Sequence, residues 1–275
     1  MSFLCLPDGV GLADSVISGS HPLALRRLGN SGPPVILVHG IGRCGALWWP
    51  IAEALACSHR VVMVDNPGIA GSRHLPVPRT IDEHARLYAE TLENAGFHEP
   101  VHLVGLSLGG MIVCALAAQL GERCASLSVL ASSCRESAFW RLSPPGVLRI
   151  LGRLLLLKPR HAATIPGLVS RETRERHPTL VQDVTAIDRM QGRRAGSMLR
   201  QLLAANRFRL RSLLDRLPAT RQVIVGSGDA LVPMFNSQRL AALLKTDLHI
   251  LEGRGHDLAL DGGDELVALI AQIAS

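Results

Sequence analysis

Six short apolar runs recur along the chain, and each is separated from the next by a stretch with helical periodicity or by a long insertion. They are Val35 to Val38, Val61 to Val64, Val101 to Val104, Ser126 to Leu130, Gln222 to Val225 and Leu248 to Leu251. Most are rich in β-branched residues and bounded by Gly, Pro or Asp, which reads as strand. They are apolar throughout rather than alternating, as strands covered on both faces are. Between them Ala46 to Ala56, Ile81 to Ala95, Met111 to Leu120, Ser237 to Leu244 and Asp264 to Ile273 carry apolar residues at three- and four-residue steps. Strands that alternate with helices predict an α/β protein with a mostly parallel central sheet and helices on both faces.

The alternation breaks once. From Arg135 to about Leu217 the pattern is helical and Arg-rich, punctuated by Pro144, Pro145, Pro159, Pro166 and Pro178. Between Arg135 and Arg216 there are 17 basic groups against 6 acidic ones, an excess of 11, although the whole chain carries only +6. Pattern and charge therefore mark the same insertion. The expected division is a core over 1–133, a helical cap over 134–217 and the rest of the core over 218–275. Within the cap, Val147 to Leu157 is apolar enough to roof a pocket, with Arg149 and Arg153 along a polar edge.

Composition excludes several classes. The run Val147 to Leu157 falls short of the roughly 20 residues that cross a bilayer, so no transmembrane segment is expected. The first ten residues lack a basic stretch and include Pro7, Asp8 and Gly9, a poor secretory signal. A cytoplasmic location follows as the expectation. The six cysteines form no C-x-x-C pair and the 11 histidines no ligand spacing, so neither a metal nor another cofactor is expected. Aromatic residues make up 3% of the chain, and no nucleic-acid-binding module interleaves them with the basic stretches.

Chemistry concentrates in three places. Gly105-Leu106-Ser107-Leu108-Gly109 is a G-x-S-x-G pentapeptide, which alone says little in a chain with 26 Gly. Its setting carries the weight: a strand precedes it and a helix follows. A sharp strand-to-helix turn needs small residues at Gly105 and Gly109 and exposes the Ser107 hydroxyl. Serine is a weak nucleophile without a base held by an acid. His256, in Gly253-Arg254-Gly255-His256-Asp257, follows the last run, and Asp229, in Gly226-Ser227-Gly228-Asp229, follows the fifth. Both lie at carboxyl ends of strands, where parallel sheets place their sites. Asp257 reads as a solvated loop carboxylate rather than a rival acid. Two backbone N–H groups could meet a developing oxyanion, that of Leu108 and that of Ile41 in the loop His39-Gly40-Ile41-Gly42. His39 reads as a brace of that loop, and Cys44 as packing.

The order Ser107, Asp229, His256, the H-G-I-G loop and Asp65-Asn66-Pro67-Gly68-Ile69-Ala70-Gly71-Ser72 together resemble the α/β-hydrolase superfamily, in its capped esterase, lipase and C–C-bond hydrolase branch. The resemblance spans roughly residues 25–273 apart from the cap. It implies Ser107 as nucleophile, His256 as base, Asp229 as its orienter, and Ile41 and Leu108 as oxyanion donors. Ala70 departs from it, because such loops usually carry Gly there. Serine at the elbow argues against haloalkane dehalogenases and epoxide hydrolases, which place Asp there. The leading expectation is a serine hydrolase that cleaves a carboxylic ester or thioester with an apolar acyl part through an acyl-enzyme. The acyl group could ride on coenzyme A or an acyl carrier protein, drawn by the basic cap, or the basic stretches could be solvated surface. Two alternatives use the same residues: a C–C-bond hydrolase or lyase, and a small-molecule receptor with little turnover.

Overall fold

The computed structural model describes residues 22–137, 140–148, 165–191 and 195–274. Seven strands form one sheet in the order β1-β3-β2-β4-β5-β6-β7. They are β1 Leu25–Leu28, β2 Pro34–Val38, β3 Arg60–Val64, β4 Val101–Leu106, β5 Cys124–Leu130, β6 Arg221–Gly226 and β7 Leu248–Leu251. All neighbours pair parallel except β1, which runs antiparallel to β3. Strand β1 was not legible as a strand because Leu-Arg-Arg-Leu hides its buried cation. Arg26 is 2% exposed and its Nη1 sits 3.0 Å from Asp65 Oδ2.

Side chains of each strand alternate between two cores. Ile36 and Val38 of β2 pack with α2 (Ile81–Asn94) and α3 (Leu108–Leu120), while Val35 and Leu37 pack on the other side. That second core is closed by α1 (Trp49–Leu55) and by a C-terminal helix, Gly263–Ile273. The sheet is therefore the middle layer of three, which is why β2 and β3 read as largely apolar runs. Helix α3 lies deepest, with every residue from Leu108 to Ala118 buried. The helix read from Ala46 divides into a 3-10 turn, Gly45–Trp48, followed by α1.

Between β5 and β6 the described chain is helical. It contains α4 (Ile165–Leu168), α5 (Arg171–Arg176), α6 (Leu180–Gln191) and α7 (Ala195–Arg207), after a helical turn at 144–148. Of the apolar run Val147 to Leu157, only the first two residues are described; the rest lies outside the described residues. After β6 comes α8 (Met234–Leu244), and after β7 a short helix, Leu258–Asp261, precedes the terminal one. Among the described residues no helix is long and apolar enough to cross a membrane.

Candidate active site

Strand β4 ends at Leu106 and α3 begins at Leu108, so the whole reversal falls on Ser107. Its backbone takes φ 58° and ψ −113°, a region that L-residues other than glycine seldom occupy. Neighbours hold it there. The Ser107 N–H donates to Leu130 O at 2.8 Å, and Ser132 Oγ donates to Ser107 O at 2.7 Å. The flanking glycines are required by close approach: a Cβ on Gly105 would lie 2.3 Å from Gly109 O, and one on Gly109 2.2 Å from Val38 O. Any side chain at either position would push the helix off the sheet.

Asp229 follows β6 and His256 follows β7, and adjacency of those strands brings the two together. His256 Nδ1 lies 2.8 Å from Asp229 Oδ2, with the imidazole 7% and the carboxylate 1% exposed. The other carboxylate oxygen, Oδ1, accepts the N–H groups of Leu231 and Val232, both at 2.9 Å. That grip fixes the carboxylate, and the carboxylate fixes the ring, leaving Nε2 uncommitted to it. Burial pushes the His256 pKa down, but the charge and hydrogen bond of Asp229, with help from Asp257, outweigh it and raise the value above the ordinary 6.5.

The loop after β2 supplies the facing wall. Neither the Ile41 nor the Leu108 N–H donates to another group among the described residues, and both residues border the cavity that Ser107 and His256 share. The loop is braced from behind. His39 Nε2 accepts the Asn66 N–H at 2.9 Å, so Nδ1 carries the proton and donates to Gly40 O at 2.8 Å. Tyr88 Oη donates to Asn66 Oδ1 at 2.8 Å and completes the buried chain. Burial lowers the His39 pKa to about 4, despite the opposing pull of Asp65 and the Gly40 carbonyl. Ala70 has φ 45°, so the loop keeps the backbone turn that a glycine would ease. Cys44 is buried in the second core.

One expectation is overturned. Asp257 is not a solvated carboxylate: it is 2% exposed, with Oδ2 2.8 Å from Arg43 Nε. Its N–H donates to Leu168 O at 2.8 Å, so a helix between β5 and β6 covers it. Adjacent side chains on an extended loop point apart, so Asp257 meets the β2 loop while His256 meets Asp229. Sequence offered no signal for Arg43, which lies 214 positions from its partner. Ser132, at the end of β5, was likewise invisible as the group that holds the Ser107 carbonyl.

The cavity encloses about 290 Å³. Ser107, Ile41 and His256 form one side, and Leu142, Val147 and Leu202 from the segment between β5 and β6 another. The basic stretch on α5 is largely internally compensated. Arg171 pairs with Glu175 and Arg176 with Glu172 across single turns, and Arg174 Nε donates to Ser170 O.

Residues 33–263 match the family described as alpha/beta hydrolase fold. The chain belongs to that family. Within it, the chain is 39% identical over 111 residues to a pimeloyl-[acyl-carrier protein] methyl ester esterase of Aeromonas hydrophila, covering 40% of this chain and 42% of that protein. It is 28% identical over 237 residues to the esterase of the same name from Vibrio atlanticus, covering 82% and 88%. The chain spans about half the length of several curated relatives it matches, between 42% and 62%. Among solved structures, a thermophilic esterase from Thermogutta terrifontis superposes with a TM-score of 0.73 at 23% identity, over 92% of this chain and 94% of that one. This α/β-hydrolase thus has esterases among its named relatives.

Proposed function

We propose that this protein is a serine hydrolase that cleaves a carboxylic ester with an apolar acyl part through an acyl-enzyme. The observation that carries the reading is the buried Asp229–His256 pair on the same cavity as Ser107, whose strained turn holds it at the start of α3. Ser107 Oγ attacks the ester carbonyl carbon while His256 Nε2 takes its proton. The negative oxygen meets the Ile41 and Leu108 N–H groups, fixed before the reaction starts and therefore needing no reorganisation. His256 then protonates the departing alkoxide, and the acyl group remains on Ser107. Water, deprotonated by the same imidazole, attacks the acyl carbon; the bond to Ser107 Oγ then breaks as His256 returns its proton to that oxygen, which frees the acid and restores the serine. Asp229 holds the Nδ1–H tautomer and stabilises the imidazolium between these transfers.

The segment 134–217 acts in this reading as a cap, because its Leu142, Val147, Leu168, Met198 and Leu202 wall the cavity. A thioester suits the same machinery. A carrier-borne acyl group is supported by the names of the Aeromonas and Vibrio relatives, while the paired arginines of α5 speak for a solvated surface.

Labelling with a fluorophosphonate probe, alongside a chain-length panel of nitrophenyl esters and acyl thioesters, tests the reading. Wild type should label and turn over esters, and Ser107→Ala should do neither. Unchanged labelling or turnover in Ser107→Ala would overturn it.

A further inference from the structure

Arg141 lies on the wall of the same cavity, and no carboxylate among the described residues forms an ion pair with it. Its guanidinium is held by neutral acceptors alone: Nε donates to Ser133 Oγ at 3.1 Å, Nη1 to Ala205 O at 2.7 Å, and Nη2 to Ser133 O at 3.2 Å and Met111 Sδ at 3.4 Å. An arginine has five N–H donors, so one remains, and the thioether is a weak acceptor. Among the described residues no carboxylate lies within 4 Å of it. Glu136 acts on it electrostatically from beyond 4 Å, while its carboxylate oxygens accept the Leu210 and Arg211 N–H groups at 3.1 and 3.3 Å.

The other charges on the cavity are already matched. Arg43 is paired with Asp257, and His256 with Asp229. Arg141 is left as the cation in surroundings that are mostly apolar, and burial lowers its pKa, against the pull of Cys134 and Glu136. A partly buried cation held only by neutral acceptors carries a cost, and a bound anion would offset part of it. The four contacts also hold the guanidinium still, so an anion would meet a preorganised group.

We infer that Arg141 is an anion subsite, and that the preferred substrates are esters carrying a free carboxylate at the end of an apolar arm. This rests on the ester-hydrolase reading for its kinetics but not for its binding test. The carboxylate could lie on the acyl arm or on the alcohol arm.

Two ester series separate these. One compares monomethyl esters of C4 to C8 α,ω-dicarboxylic acids with methyl esters of the matching alkanoic acids. The other compares acetyl esters of ω-hydroxy acids with those of the matching alcohols. At low salt, kcat/KM should favour the anionic member of at least one series by tenfold or more, the effect of about one charge-assisted hydrogen bond. Arg141→Gln should reduce that ratio below threefold, and Arg141→Lys should retain part of it. The ratio, rather than the rate, is the readout, so a general loss of activity does not imitate it. No preference in either series, or a ratio untouched by Arg141→Gln, overturns the inference. Should Arg141→Gln fail to fold, the wild-type ratios and Arg141→Lys decide.

Calorimetry on Ser107→Ala reports the subsite without turnover. A half-ester that binds Ser107→Ala, and binds at least tenfold more weakly once Arg141→Gln is added, supports it even if no ester is hydrolysed, in which case only the hydrolase reading fails. Equal binding of the anionic and neutral esters counts against the subsite.

Discussion

Arg43 Nε and Asp257 Oδ2 stand 2.8 Å apart, 7% and 2% exposed, and join the loop after β2 to the loop after β7. These loops carry the proposed oxyanion donor Ile41 and the proposed base His256, so one buried ion pair sets their separation. The contact is ionic and poorly aligned: Arg43 Nη2 and both Asp257 oxygens find no hydrogen-bond partner among the described residues. Removing one member strands the other charge in the interior, at a cost of about 3–5 kcal/mol. Arg43→Met and Asp257→Leu should each lose that much in urea unfolding, and the double variant should lose much less than the sum. Additive losses would show that the two charges are not coupled.

The raised pKa of His256 sets the pH dependence of turnover. The imidazole acts as base only when neutral, so the acid limb of kcat/KM should have its midpoint above 6.5. Asp229 supplies the charge that raises it; Asp229→Asn should therefore move the midpoint down and cut kcat by roughly 10⁴ at neutral pH. A midpoint below 6.5 in wild type would contradict the geometry around the ring.

Backbone strain at Ser107 predicts a stability difference between two inactive variants. Ser107→Ala keeps a Cβ at φ 58° and ψ −113°, and Ser107→Gly releases it. The glycine variant should be the more stable by about 1 kcal/mol, the strain of such a backbone less the entropy of glycine. Thermal melts of the pair provide the comparison. A less stable glycine variant would mean that the turn is unstrained.

His39 is buried neutral with a pKa of about 4, whereas in the unfolded chain it titrates near 6.5. Below pH 6.5 the unfolded state takes up the proton first, so stability should fall as pH drops from 6.5 towards 4, by up to about 3 kcal/mol from this group. Buried His84 contributes in the same direction. His256 opposes it, adding stability below pH 6.5 that is lost as pH rises through its raised value. Urea unfolding of wild type and His39→Gln between pH 7.5 and 4 isolates the His39 share. Parallel pH slopes for the two proteins would rule it out.

Much of the core is legible in the sequence, because strands covered on both faces are predominantly apolar. Val35 to Val38 and Val61 to Val64 are legible for that reason. The turn at Ser107 is legible because it admits only small flanking residues, and the positions of Asp229 and His256, the proposed partners of Ser107, because each stands just past a strand. Strand β1 was not, since a buried arginine looks like an exposed one until Asp65 is seen opposite it.

What the amino-acid order determines, then, is local: which segments become strands and helices, and which polar residues sit at their ends. Only the tertiary structure decided the pairings. Adjacency of β6 and β7 brought His256 to Asp229, and the covering helix at Leu168 buried Asp257 so that it turned to Arg43. Whether a charge is solvated or matched depends on chain arriving from far away in sequence, and that is a property no local pattern records.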